Sequence, residues 1–320
     1  MKKSIKILAL TVVAALCLFA CTKQNARKNY ILATGGTGGT YYPFGGAIAN
    51  IWNTKIQNMN VTAQATGASA ENLRLISKGE AEFAIVQNDV MDYAYNGTDM
   101  FAGQSLPNIK AIGTLYPEVV QIAASVSSGI KSVYDLKGKR VSVGDAGSGV
   151  EFNAKQILEG YGLTFDDIQK NNLSFKDSAD GIQNGTLDAC FVTAGVPNAS
   201  LQELAFTNGL VLIPVSDAEA VKICNNYGFY TVTKIPGGTY NGTDEDVEAL
   251  AIKATLAVNA DLDNDTVYEM TKALFNNLDE LAQANAKGKD VSVPSAVTGI
   301  SIPFHPGAKK YFAEVGFKVE

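Results

Sequence analysis

The chain has 320 residues, 46% of them hydrophobic and 18% charged, with 26 basic residues against 32 acidic ones. That length and composition suit a globular chain of two ordinary domains. The acidic balance excludes a basic nucleic-acid face, and one histidine with scattered cysteines excludes a metal centre at any usual ligand spacing.

The first residues set the compartment. MKKSIK is a basic leader, and ILALTVVAALCLFA is an apolar run of signal-peptide length, short for a membrane span. Residues 1–20 therefore read as a signal peptide. Leu18-Phe19-Ala20-Cys21 resembles a bacterial lipobox, with Phe19 bulkier than usual at its position. On this reading Cys21 is lipidated and 21–29 is a lipid-anchored tether. The chain is then exported and held at a membrane surface, facing the periplasm or the cell exterior. Loss of Lys2, Lys3 and Lys6 leaves 23 basic residues against 32 acids, a balance near −9. Export permits a disulfide between Cys190 and Cys224, but Cys190 lies in the apolar run DACFVTAG, where a free buried thiol is the simpler expectation.

From Tyr30 onward strands alternate with helices. Tyr30–Ala33 reads as a strand. The glycine–threonine loop Thr34–Thr40 and a small-residue helix, Phe44–Ile56, follow it. Asn60–Thr66 is a strand, Ser69–Gly79 a helix and Ala81–Gln87 a strand. Two apolar strands, Ala111–Tyr116 and Val119–Val126, come next. Arg140–Asp145 is a strand, Val150–Gly162 a helix, Ala189–Ala194 a strand and Val196–Gly209 a helix. Leu210–Val215 and Phe229–Ile235 are strands. Asp246–Ala254 reads as a helix, Ala254–Ala260 as a strand and Asp265–Gly288 as one long helix. Such alternation predicts α/β layers with mostly parallel sheets. The NGT triplets at Asn96, Asn184 and Asn241 read as turns.

Gly38 and Gly79 are 41 residues apart, and so are Gly144 and Gly185. Each pair brackets a loop–helix–strand–helix stretch, which suggests two similar lobes. The strands after Tyr116 and before Asp261 then cross between them. This gives lobe I as 30–117 with 259–320, and lobe II as 118–258.

A glycine-rich turn that opens a helix offers free N–H groups and a positive dipole end to an anion. The first loop supplies Thr37, Gly38, Gly39 and Thr40; the second supplies Gly147, Ser148 and Gly149. Both lie beyond the carboxyl ends of strands, where open α/β sheets bind ligands. The same edge carries Thr66, Gly67, Ser69 and Asn72, then Gln87 and Asp89, and then Thr193 and Gly195. Tyr41 and Tyr116 can wall the cleft. Asp89 either caps the following helix or pairs with a ligand ammonium. Neither nucleotide motif fits: no lysine follows the first loop, and Tyr41 stands where G-x-G-x-x-G needs its last glycine. Ser148 beside Asp145 lacks a base, so no catalytic residue is assigned. With arginine scarce in these loops, backbone N–H groups and hydroxyls are expected to hold a ligand carboxylate.

GGTGGTYYPFGGAIA, TGASAENLRLISKGEAEFAIVQNDV, LYPEVVQ, DLKGKRVSVGDAGSGVEFNAKQILEGYGLTFDDI, FVTAG, IPGGTYNG and PFHPGAKKYFAEVG together resemble the TAXI family, the solute receptors of one branch of TRAP transporters. The likeness runs from about Tyr30 to the C-terminus and is strongest to glutamate- or glutamine-binding members. It implies an α/β, two-lobed, periplasmic-binding-protein-like fold of type II, with two hinge strands and a ligand cleft. It also implies a small carboxylate ligand (L-glutamate, L-glutamine or a 2-oxoglutarate-like acid), a membrane permease as partner and no cofactor. His305 then belongs to a structural C-terminal signature. A ligand-sensing or surface-interaction lipoprotein of the same fold is the alternative.

Overall fold

The computed structural model describes residues 27–320. The leader, Cys21 and the tether up to residue 26 lie outside the described residues. The first half runs β1 (Lys28–Ala33), α1 (Tyr41–Lys55), β2 (Met59–Gln64), α2 (Ser69–Lys78), β3 (Phe83–Gln87), α3 (Asn88–Asn96) and the long β4 (Ile109–Ala124). Then follow β5 (Arg140–Ser142), α4 (Gly149–Gly160), β6 (Gln169–Asn171), α5 (Phe175–Gln183), β7 (Ala189–Ala194), α6 (Ala199–Thr207), β8 (Val211–Leu212), α7 (Asp217–Tyr227) and β9 (Thr231–Ile235). β10 (Val247–Asn259) precedes a helical tail of α8 (Asn264–Phe275), α9 (Leu278–Ala284), α10 (Val293–Ala296) and α11 (Pro306–Glu314).

The strand order is β2-β1-β3-β10-β4-β7-β5-β6, with β8 beside β4 and β9 beside β10. Within β2-β1-β3 and within β7-β5-β6 the pairing is parallel, while β3–β10, β10–β4 and β4–β7 are antiparallel. The order strand–helix–strand–helix–strand thus occurs twice, each time ending against a long antiparallel strand. This is the expected two-lobed α/β architecture. Each half buries its own core. One is built around Phe44, Trp52, Phe83 and Phe312; two others, confined to residues 119–252, gather around Ile157 and Phe191 and around Leu201 and Tyr240.

Local chemistry sets the elements that face the cleft. α1 packs tightly on β1 because Gly45 lacks a side chain: a Cβ there would meet Thr34 Cγ2 at 2.5 Å. The Trp52 indole of α1 donates to Met270 O at 2.8 Å and ties the helical tail to the first core. The tail does not form one helix. It breaks after Phe275 and again after Ala284. His305 is fully buried and caps α11, its Nδ1 accepting from Gly307 N at 3.1 Å. All three NGT triplets are turns in which the glycine takes a left-handed φ, between +67° and +81°, a region that costs glycine nothing.

β4 and β10 run through both halves. The two predicted strands Ala111–Tyr116 and Val119–Val126 are one strand, continuous through Pro117. The predicted helix Asp246–Ala254 is instead the first half of β10. Leucine and alanine favour a helix locally, but burial between two strands overrides that preference. The β4–β10 ladder shifts register between Lys253 and Thr255, where Pro117 lies opposite Lys253. A proline without an N–H is tolerated there because the ladder is already interrupted. β10 pairs with β9 through Ala251 and with β3 from Ala254 on.

Candidate ligand site between the lobes

The loops after β1, β2, β3, β5, β6 and β7 converge on one cavity of about 260 Å³. From the first half come the whole glycine loop Gly35–Thr40, Tyr41, Ala65, Ala68, Ser69 and Gln87. From the second come Asp145, Ser148, Gly149, Val150, Ser174–Lys176, Thr193 and Ala194, with Glu118 on β4 between the halves. Of the residues singled out in the sequence, Thr37, Gly38, Gly39, Thr40, Tyr41, Ser69, Gln87, Ser148, Gly149 and Thr193 are on this wall. The others among the described residues do not line it. Thr66 and Asn72 bond to each other and to Thr34 O, while Asn72 also reaches Ile85 O. Gly67 N and Gly147 N donate to Glu71 and Glu151, four residues ahead of each. Tyr116 is buried against Phe44, and Gly195 N donates to Thr40 Oγ1 at 3.1 Å.

Two helix N-termini of the second half open on the cavity. Ser148 is the N-cap of α4, its hydroxyl accepting from Glu151 N at 3.2 Å. Its side chain thus serves the helix, and the first-turn N–H groups past it are left for an anion. Ser174 caps α5 in the same way. The 41-residue repeat implies a helix before Gly185 without giving its bounds, and this helix puts Phe175 and Lys176 on the wall. In the first half Ala68 precedes α2 with φ +71° and ψ −145°, a backbone region natural to glycine. Strain of this kind persists where the surroundings enforce it, commonly at ligand sites.

The lobes touch around the cavity. Asn198 Nδ2 donates to Gly38 O at 3.1 Å, and Gln87 Nε2 donates to Asn153 Oδ1 at 3.1 Å. Asn153 Nδ2 in turn donates to Asp89 Oδ2 at 3.2 Å and to the Tyr230 hydroxyl at 2.8 Å. Tyr230 donates to Gln156, and Gln156 to the Tyr93 hydroxyl. This buried chain links α3 to α4, and it occupies Asp89. Asp89 is fully buried, also accepts from Val90 N at 2.8 Å, and does not line the cavity. Burial lifts its carboxyl to about 7. Gly149 marks the closest approach: a Cβ there would lie 1.8 Å from Gln87 Oε1.

Two acids are on the wall, Glu118 and Asp145, and Glu118 is the more deeply buried. It is 2% exposed, and the Tyr41 hydroxyl donates to its Oε2 at 2.6 Å. Burial, with Asp89 nearby, lifts its carboxyl to about 8, and burial likewise raises Asp145. Sequence reasoning passed over Glu118, although one charge inside the apolar run of β4 was a usable signal. No described arginine lines the cavity: Arg140 forks onto Asp188 at 2.6 and 3.1 Å, and Arg74 stacks over Phe101 and reaches the second loop beside Gly147. Cys190 and Cys224 are free, and burial pushes the Cys190 thiol up to about 12. Among the described residues no helix is long and apolar enough to cross a membrane.

These features define a periplasmic-binding-protein-like α/β fold with a cavity between its lobes. Residues 32–316 match the NMT1-like family, and the chain belongs to that family. Solved structures share the fold. The alkanesulfonate-binding protein SsuA from Xanthomonas axonopodis pv. citri, bound to MOPS, aligns with a TM-score of 0.51 at 13% identity, over 90% of this chain and 84% of that one. A putative L-cystine ABC transporter protein from Listeria monocytogenes aligns at 0.52 and 15%, over 83% and 98%. PhnD1 from Prochlorococcus marinus (MIT 9301), in complex with methylphosphonate, aligns at 0.54 and 12%, over 81% and 90%. At such identities the likeness is one of fold.

Proposed function

We propose that this protein is the extracytoplasmic solute receptor of a TRAP transporter of the TAXI type. It captures a small carboxylate, glutamate or glutamine, and delivers it to a membrane permease without chemical change. The observation that carries the reading is the cavity itself. Two glycine-bearing loops and the N-termini of α4 and α5 converge on a space of about 260 Å³, a size and donor set suited to one small anion.

The lobes in this reading are residues 30–117 with 259–320 and residues 118–258. β4 and β10 are the hinges, and Ala254–Val258 move with the first lobe because they pair with β3. The ligand carboxylate lies on the free N–H groups of the α4 first turn and of the Thr37–Thr40 loop. Thr193 Oγ1, buried on the wall with no partner among the described residues, supplies a hydroxyl. Closure of the hinged lobes traps the ligand. The anchor at Cys21 keeps the receptor beside its permease.

Thermal melting of the refolded, ligand-stripped chain with L-glutamate, L-glutamine, 2-oxoglutarate and succinate tests the assignment. A ligand at 100 times its Kd stabilises by about 2.7 kcal/mol, a rise of several degrees. At least one of the four is expected to give it. No rise with any of them contradicts a small-carboxylate receptor.

A further inference from the structure

Glu118 is a buried carboxyl on a ligand-sized cavity with no cation of its own. Its Oε2 is held by the Tyr41 hydroxyl, and it forms no salt bridge among the described residues. The titratable groups that bear on it are Tyr41 on α1, Tyr116 beside it on β4 and Asp89 on α3. None of the three can supply positive charge. The lysines near the cavity and hinge are engaged: Lys176 Nζ lies 3.0 Å from Asp180, Lys253 Nζ 3.0 Å from Thr298 Oγ1 and Lys287 Nζ 2.9 Å from Asp290. The other acid on the wall, Asp145, adds negative charge.

A buried carboxyl without a cation either takes a proton or waits for one from outside. In the empty cavity it takes the proton. A ligand that brings an ammonium lets it ionise, and the site then pairs charges at both ends of the ligand.

We propose that Glu118, positioned by Tyr41, is the ammonium receptor of this cavity, and that it makes the protein selective for α-amino acids over the corresponding keto and dicarboxylic acids. The inference rests on the receptor reading above and narrows it to a substrate class. It also moves the ammonium partner from Asp89, which the Asn153 contact occupies, to the acid that borders the cavity. In this reading the helix N-termini take the carboxylate and Glu118 takes the ammonium.

Titration calorimetry on the refolded full chain tests this, with L-glutamate, L-glutamine and 2-oxoglutarate as probes. 2-Oxoglutarate keeps the carbon skeleton and both carboxylates of glutamate and lacks the ammonium. Wild type is expected to bind an amino acid at least ~30-fold more tightly than the keto acid, the loss typical of a buried charge left without its partner. Glu118→Gln keeps the acceptor for Tyr41 and loses the charge. It is expected to weaken amino-acid binding by at least ~30-fold and to leave keto-acid binding equal or stronger. Tyr41→Phe, which spares the carboxyl, should retain the amino-acid preference. A wild type that prefers 2-oxoglutarate overturns the inference without any variant and leaves the carboxylate receptor standing. Unchanged amino-acid affinity in Glu118→Gln does the same. Silence from all three probes overturns the inference, and silence from succinate as well overturns the receptor reading.

Discussion

Two buried acids, Asp89 and Glu118, predict a stability that falls as pH rises. An ordinary carboxylate stabilised by a partner has a lowered pKa and is lost on acidification. Here burial raises Asp89 from 3.8 to about 7 and Glu118 from 4.5 to about 8. Their folded forms bind protons more tightly than their unfolded forms. The contribution is therefore fully present below about pH 4 and is lost as pH rises through 7 to 8. The ligand-free protein is expected to melt at a higher temperature at pH 5 than at pH 8, and Asp89→Asn should flatten part of that slope. Melting curves from pH 5 to 8 check it; a wild-type melting temperature that rises across this range contradicts the assignment. Asp89 was legible in the sequence as an important acid, but its role was not. A strand-end aspartate can cap a helix, bind a ligand or, as here, meet an asparagine from the opposite lobe, and nothing near it in sequence separates the three.

α3 and α4 carry the polar contact between lobes at the scale of elements. Asn153 sits at its centre, with bonds to Gln87, Asp89 and Tyr230, all within 3.2 Å. Removing one member leaves several buried polar groups without partners, each costing about 1–3 kcal/mol. Because α3 and α4 belong to different lobes, that cost falls on the closed form. Asn153→Ala is expected to weaken ligand binding by roughly 10-fold or more, with a smaller loss in the melting temperature of the ligand-free protein. Binding titration beside melting separates the two, and unchanged affinity would show that the contact does not favour closure. α4 itself was plain from its pattern, but Ser148, read as a ligand-loop residue, proves to be its N-cap. The repeat of 41 residues was half right. Gly79 and Gly185 are equivalent, each left-handed after its helix and four residues before its strand. Gly38 and Gly144 are not, lying five and two residues past theirs. α5 was implied by that repeat but given no bounds, because FKDSADGIQ carries few apolar residues and a glycine. β10 was misread because its apolar residues run together without alternation, as they do in strands buried on both faces.

For the whole molecule, the fold followed from the sequence because layer order is written in the alternation of strands and helices. The cavity followed from where glycine loops must fall at strand ends. The meeting of the lobes was not legible, since it joins residues far apart in the chain, such as Gln87 with Gly149 and Gly38 with Asn198. The proposed function turns on that meeting: a receptor of this kind holds its ligand by closing its lobes on it. Gly149 offers the sharpest probe. Its backbone accepts alanine, and alanine favours the helix it opens. In the closed form, however, the added methyl would collide with Gln87 Oε1 at 1.8 Å. The decisive measurement is titration calorimetry of wild type and Gly149→Ala, both refolded and ligand-stripped, with L-glutamate and L-glutamine. The account predicts saturable one-to-one binding by wild type and a loss of roughly 10-fold or more in the variant, with the variant still folding cooperatively. Equal affinity in the two proteins, or no binding by wild type, would contradict it.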